Sequence, residues 1–280
     1  MNPLISAEEL VSIYKDSEVL IFDVTNGPNA KANYLKNHLD TAFFVDLNED
    51  LATIDKDLSK GGRHPLPSIE KFSVTLGKLG ILKDSQVVIY DSNNGANAAA
   101  RFWWMLKAVG HKKVQVLDGG FKAAEKFGFP INNSVVFFNA VEKYEVSNWE
   151  LPIVLLEEVE NQVKNDDTLI IDVRGAERYK GKIEPIDTVA GHIPSALNIP
   201  FSTNLNNEGL FLDSEELRDK YLKICDGREA SKIIVHCGSG VTACHTLLAF
   251  DVAGLNIPNL YVGSWSEWSR NNKEISTDIV

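Results

Sequence analysis

The sequence predicts an α/β protein built as two tandem copies of one domain, each a mostly parallel sheet flanked by helices. Three observations carry that reading. The chain is written twice: VLIFDV (19–24) recurs as TLIIDV (168–173), and NHLDTAFFVDL (37–47) as GHIPSALNIPF (191–201). Likewise VVIYDSNNGANAAARFWWML (87–106) recurs as IIVHCGSGVTACHTLLAF (233–250), and VQVLDGGFKAAEKFG (114–128) as LYVGSWSEWS (260–269). The matches keep their order at offsets of 144 to 154 residues, which marks a duplication. Within each copy, short β-branched runs alternate with helical stretches, so strands are joined by crossovers and the sheet is mostly parallel. Finally, 280 residues with 44% hydrophobic and 24% charged side chains suit two ordinary folded domains.

The elements follow in order. In the second copy 155–164 reads as a helix, and TLIIDV (168–173) is a continuous apolar run of the kind a strand buried on both faces needs. Strand 197–201, helix 214–223, strand 232–236, helix 242–253 and strand 260–262 complete the copy, and the matching runs take the same roles in the first. The stretch from Pro130 to about Glu157 has no counterpart at the same place and reads as the connection. The expected organisation is a first domain over 1–132, a linker over 133–154 and a second domain over 155–280. A cleft between two such domains is the default place for a small ligand.

Composition removes several classes of function. A formal charge of −11 argues against nucleic acid and anionic membranes as partners. The N-terminal MNPLISAEELVSIYKD carries early acidic residues and lacks the basic-then-apolar order of a secretory signal, and no apolar run reaches the length of a membrane span. Three cysteines are too few for a disulfide framework, so the chain reads as cytoplasmic with reduced thiols. No cysteine or histidine cluster has metal-ligand spacing, and neither a metal nor a cofactor is expected.

The chemistry is expected at Cys237. It stands where a buried strand ends and a helix begins, with Gly238 and Gly240 in the turn. Amides of 238–242 turned inward would form an anion-binding nest at the positive end of the helix, favouring a thiolate or an anionic sulfur bound to it. The alternative is a buried packing cysteine beside a tight turn. Six residues on from Cys237 stands Ala243, where a phosphatase cradle of the Cys-x5-Arg type requires arginine, so phosphate chemistry is disfavoured. The first copy has Asp91 where the second has Cys237, so the chemistry belongs to the second copy.

CGSGVTACH, the paired halves, GHIPSALNIPF, ERYKGKIEPID and the terminal GSWSEW together resemble the two-domain rhodanese family of sulfurtransferases, essentially from end to end. The resemblance implies two rhodanese-like domains, the first of them inactive. It also implies covalent transfer of sulfur through a persulfide on Cys237. Family members that use thiosulfate carry basic residues in the loop that starts at the cysteine. Those that use 3-mercaptopyruvate carry Cys-Gly-Ser-Gly-Val-Thr, which is 237–242 here. The resemblance therefore implies 3-mercaptopyruvate as donor, with thiosulfate as the alternative, and cyanide, a small thiol or thioredoxin as acceptor. A carrier that shuttles persulfide without turnover is a third reading.

Residue by residue, the resemblance makes Cys237, Ser239 and His64 catalytic, the last two moving the proton. It makes Arg178 the grip on the substrate carboxylate, with Gly238, Gly240, Val241 and Thr242 forming the loop around it. The aspartate that completes the family's Ser–His–Asp trio falls at Asn48, with Asp46 and Asp50 nearby, and the family's second arginine falls at Ile186. Carboxylate binding then rests on Arg178 alone or draws on Arg63, beside His64. Asp172, Arg174 and His192 read as structural, as do Cys244 and the tryptophans 103 and 104. Trp265 and Trp268 are expected to wall the cleft.

Overall fold

The computed structural model describes residues 1–137 and 140–277. Phe138 and Asn139 of the expected linker, and residues 278–280 of the expected second domain, lie outside that range. In chain order the first half contains β1 (Leu4–Ile5), α1 (Ala7–Ile13), β2 (Val19–Asp23), α2 (Ala30–Lys36), β3 (His38–Leu39) and β4 (Phe43–Phe44). It continues with α3 (Ile69–Lys78), β5 (Gln86–Tyr90), α4 (Ala99–Ala108), β6 (Val114–Leu117), α5 (Gly120–Phe127) and β7 (Ile131–Asn132). The second half contains β8 (Ile153–Val154), α6 (Leu156–Gln162), β9 (Leu169–Asp172), α7 (Ala176–Tyr179), β10 (Leu197–Asn198) and α8 (Ser214–Cys225). It ends with β11 (Ile233–His236), α9 (Ala243–Val252), β12 (Asn259–Tyr261) and α10 (Ser264–Trp268). None of these helices is long and apolar enough to cross a membrane.

Two five-stranded parallel sheets result, in the orders β1-β6-β5-β2-β4 and β8-β12-β11-β9-β10. Read strand for strand the two orders are one topology, as the sequence duplication requires. The registers also agree: Asp23 faces Tyr90 across β2 and β5, and Asp172 faces His236 across β9 and β11. The central strands are buried because helices cover both faces, which is why they read as unbroken apolar runs. Helix starts are locally encoded. Ser6 and Glu9 form a reciprocal capping box on α1, and Asp213 accepts from the amides of Glu215 and Glu216 to start α8.

The chain divides into two compact units that are not contiguous in sequence. The first holds 1–52, 67–150 and 207–211; the second holds 53–66, 151–206 and 212–280. The middle segment of the first unit ends at residue 150, and within it Trp149 lies against Phe72 and Trp104, at ring distances of 5.2 and 6.2 Å. The histidine of the repeated His-x-x-x-Ala pattern is structural in both units. His38 stacks on Tyr34 and His192 on Tyr179, each with Nδ1 2.7 Å from the carbonyl oxygen of its stacking tyrosine, to which it donates. Trp103 and Trp104 are fully buried. Trp265 and Trp268, both on the short helix α10, sit in the core of the second unit, packed with Ile170, Ile193 and Tyr261.

Candidate active site

Cys237 follows the last residue of β11, a central strand of the second unit, and is 3% exposed. Its backbone is held from one side. The carbonyls of Cys237 and Gly238 accept from the amides of Trp265 (3.0 Å) and Ser266 (2.9 Å) in the first turn of α10. The amide of Cys237 donates to Ser264 Oγ at 3.2 Å, and that hydroxyl donates to the carbonyl of Tyr261 at 2.8 Å. With its carbonyls turned to α10, the loop leaves its amides for the other side. Those of Gly238, Ser239, Val241 and Thr242 have no protein acceptor among the described residues. Gly240 is in the left-handed region at φ 71°, and a Cβ there would stand 2.4 Å from the carbonyl oxygen of Val262, so only glycine fits. The Cys244 thiol donates to the carbonyl of Gly240 at 3.4 Å and is fully buried, so it braces the loop from within.

The segment 53–66 carries the first half's contribution into the second unit. The amide of Gly61 donates to Glu267 Oε1 at 2.7 Å. Gly62, at φ 75°, lies so close to α10 that a Cβ would be 2.5 Å from the carbonyl oxygen of Gly263. This close approach brings the next two side chains to the cysteine loop. His64 Nδ1 is 2.8 Å from Ser239 Oγ, and Ser239 is 6% exposed. Nitrogens of Arg63 and Arg178 stand 3.1 and 3.5 Å from where a Cβ of Gly238 would be. A side chain at 238 would therefore meet both guanidiniums.

Two acids hold these arginines in place. Arg178 grips Glu184 with two bonds, of 3.1 and 2.7 Å, and lies 3.5 Å from Asp187. Asp187 also pairs with Arg63, and with Arg270 at 2.8 Å. Burial alone would raise the Asp187 carboxyl, but Arg63 and Arg270 outweigh it and hold the group below the ordinary carboxylate range. Beneath the loop, Arg174 binds Asp172 through Nε and Nη2 and lies 4.7 Å above the Trp265 ring. Burial opposes ionisation of Asp172 as well, and Arg174 again reverses it. His236 is fully buried and its pKa is lowered, chiefly by desolvation, so it is neutral.

Of the expected residues, Cys237, Ser239, His64, Arg178, Gly238 and Gly240 come together, with Val241 and Thr242 leading into α9. Asp172, Arg174 and His192 are structural. Ile186, at the position of the family's second arginine, is 56% exposed. Asn48 belongs to the first unit, in a turn where its amide donates to Asp46 Oδ1 at 2.8 Å. The anchoring pair Glu184 and Asp187, together with Arg270, escaped the sequence reading. The one available signal was the acidic pair Glu184 and Asp187 closely following Arg178 in ERYKGKIEPID.

Comparison with known proteins identifies the family. The family model of the rhodanese-like domain matches twice, over residues 6–126 and 155–271. A Pseudomonas aeruginosa protein described as "Probable 3-mercaptopyruvate sulfurtransferase" is 36% identical over 271 residues, covering 95% of this chain and 94% of that one. A thiosulfate sulfurtransferase of Gallus gallus is 34% identical over 248 residues, covering 86% and 81%. Among solved structures, SseA of Escherichia coli, described as a 3-mercaptopyruvate sulfotransferase, superposes with a TM-score of 0.76 at 31% identity, covering 95% of this chain and all of that one. With the duplicated sheet and the cysteine loop of its second unit, the chain belongs to the rhodanese-like family, as a tandem pair of its domains, and is a sulfurtransferase.

Proposed function

We propose that the second unit transfers the sulfur of 3-mercaptopyruvate through a persulfide on Cys237. The Cys237 thiolate attacks the substrate sulfur, the S–S bond forms and the C–S bond breaks. Its electron pair leaves with the carbon as the enolate of pyruvate, which takes up a proton. An acceptor thiolate then attacks the outer sulfur and releases Cys237, a ping-pong cycle that needs no external oxidant. The free loop amides are placed to meet the charge on that outer sulfur.

The observation that carries the choice of donor is the 2.8 Å contact between His64 and Ser239. An enolate must be protonated, and this pair beside the nucleophile is suited to move that proton. Sulfite, the product from thiosulfate, leaves without one. Charge agrees: with Arg174 committed to Asp172, the three guanidiniums of Arg63, Arg178 and Arg270 face two carboxylates, Glu184 and Asp187. One positive charge is left over, enough for one substrate carboxylate. Arg63 thus takes the part of the arginine missing at 186. Thiosulfate is the second reading, because two guanidiniums at Gly238 also suit a dianion.

The reading extends to the acceptor and the compartment. A small thiol, thioredoxin or cyanide discharges the persulfide, and three buried free thiols fit a reducing compartment such as the cytoplasm. The test is kcat/KM with each donor, cyanide as acceptor, in the wild type and in His64→Gln. Loss of about 10²–10³ with mercaptopyruvate and far less with thiosulfate supports the reading. Equal losses, or a wild-type preference for thiosulfate, refute it.

A further inference from the structure

The duplication exposes a difference in the first unit that the sulfur chemistry does not use. In the second unit, Arg174 lies 3% exposed against Asp172, donates to the carbonyl of Gly191 at 2.7 Å, and is covered by the Trp265 ring. The equivalent acid in the first unit is Asp23, at the same register and at the same strand end. It holds the amide of Thr25 at 2.9 Å, as Asp172 holds that of Arg174 at 2.9 Å. The residue matching Arg174 is therefore Thr25. Phe121 matches Trp265, since its amide donates to the carbonyl of Asp91 (3.0 Å) as that of Trp265 does to Cys237 (3.0 Å). Asn37 matches Gly191.

Where the second unit has a guanidinium, the first has a cavity of about 290 Å³. It is lined by Asp23, Thr25, Tyr34, Asn37, Ser92 and Phe121, with Lys36 at its exposed edge. Asp23 is 4% exposed, and among the described residues no cation pairs with it; its other partners are the side chain of Thr25 and the Tyr90 hydroxyl. Burial outweighs these hydrogen bonds and pushes its carboxyl up. A buried carboxylate beside an aromatic ring, in a cavity whose twin is filled by a tethered guanidinium, is a recognition site for that group.

We infer that this cavity of the first unit binds a guanidinium-bearing ligand, with Asp23 as its ion-pair partner and Phe121 as its stacking wall. The inference is independent of the donor chosen at Cys237.

Titration of the ¹⁵N-labelled full chain with methylguanidinium chloride tests it, with methylammonium chloride at equal ionic strength as control. Saturable shifts of the Thr25, Asn37, Ser92 and Phe121 amides are expected, with a Kd on the order of 1–10 mM for so small a ligand. Methylammonium is expected to bind about fivefold or more weakly, lacking the planar fork. Asp23→Asn should abolish the shifts. Thr25→Arg should also abolish them and raise Tm by about 2–4 °C, as the tethered group fills the site. A blocked arginine amide separates the sources: its binding points to an arginine of another protein, and its exclusion to a free guanidino compound. Absence of saturable shifts in the wild type, or shifts that persist in Thr25→Arg, overturns the inference even if Asp23→Asn does not fold.

Discussion

The loop after β5 and the loop after β11 occupy one position in two copies of a domain, and they solve the same problem differently. In the first, the side chain at the head of the loop is Asp91. Its carboxylate accepts from the amides of Asn93, Gly95, Asn97, Ala98 and Ala99, all within 2.8–3.1 Å. In the second, the head is Cys237, and four of the loop amides have no protein acceptor among the described residues. One nest is filled by its own chain; the other leaves its donors open. The first copy thus keeps the backbone cradle and supplies the anion internally. The carboxyl of Asp91 is nevertheless raised, because full burial outweighs the five amides.

Removing the difference at its source has the largest effect. Cys237→Ser should abolish sulfur transfer from either donor, and the mass increment of one sulfur atom on the donor-treated protein should vanish with it. If the variant still turns over, the chemistry does not pass through the second loop. The converse change acts on stability. Asp91→Ala leaves five amides, three of them buried, without their acceptor and should cost about 2–4 kcal/mol, read from denaturant unfolding. A loss below about 0.5 kcal/mol would mean that the first loop is not held by its carboxylate.

A smaller effect is expected at Arg63. Arg63→Gln should raise KM for mercaptopyruvate about tenfold, equivalent to about 1.4 kcal/mol, with a lesser change in kcat. A kcat defect alone would place Arg63 outside donor binding. The smallest effect concerns pH. Asp187 has a folded pKa below its unfolded value of about 3.9, so its contribution is complete above that value and is lost as pH falls through the folded one. In thermal melts, Asp187→Asn should lower Tm at neutral pH and flatten its decline between about pH 5 and pH 2. An unchanged slope would show that the three arginines do not depend on this carboxylate.

Much of this was legible without coordinates. The strands at 168–173 and 232–236 and the helices at 214–223 and 242–253 agree with β9, β11, α8 and α9 to within a few residues, because continuous apolar runs and capping residues are local signals. Some short elements were not legible. The two-residue β8 and the five-residue α10 carry too few residues for a period to show, yet α10 is what turns the cysteine loop's carbonyls away from its amides. Trp265 and Trp268 were expected at a cleft wall and are core residues, since aromatic composition does not say which face of a short helix is inward.

By itself the sequence determined the duplication, the parallel sheets, and the placing of one thiol at a strand–helix junction in the second copy alone. These follow from periodicity, from turn residues, and from the contrast of Asp91 with Cys237. Only the tertiary structure decided that residues 53–66 join the second unit, that Arg63 stands beside Arg178 at Gly238, and that Glu184 and Asp187 hold the pair. The contacts of Arg63 and His64 join residues more than a hundred positions apart, Arg63 to Asp187 and His64 to Ser239. Local pattern carries no information about such a meeting; close packing of glycines 61 and 62 against α10 creates it.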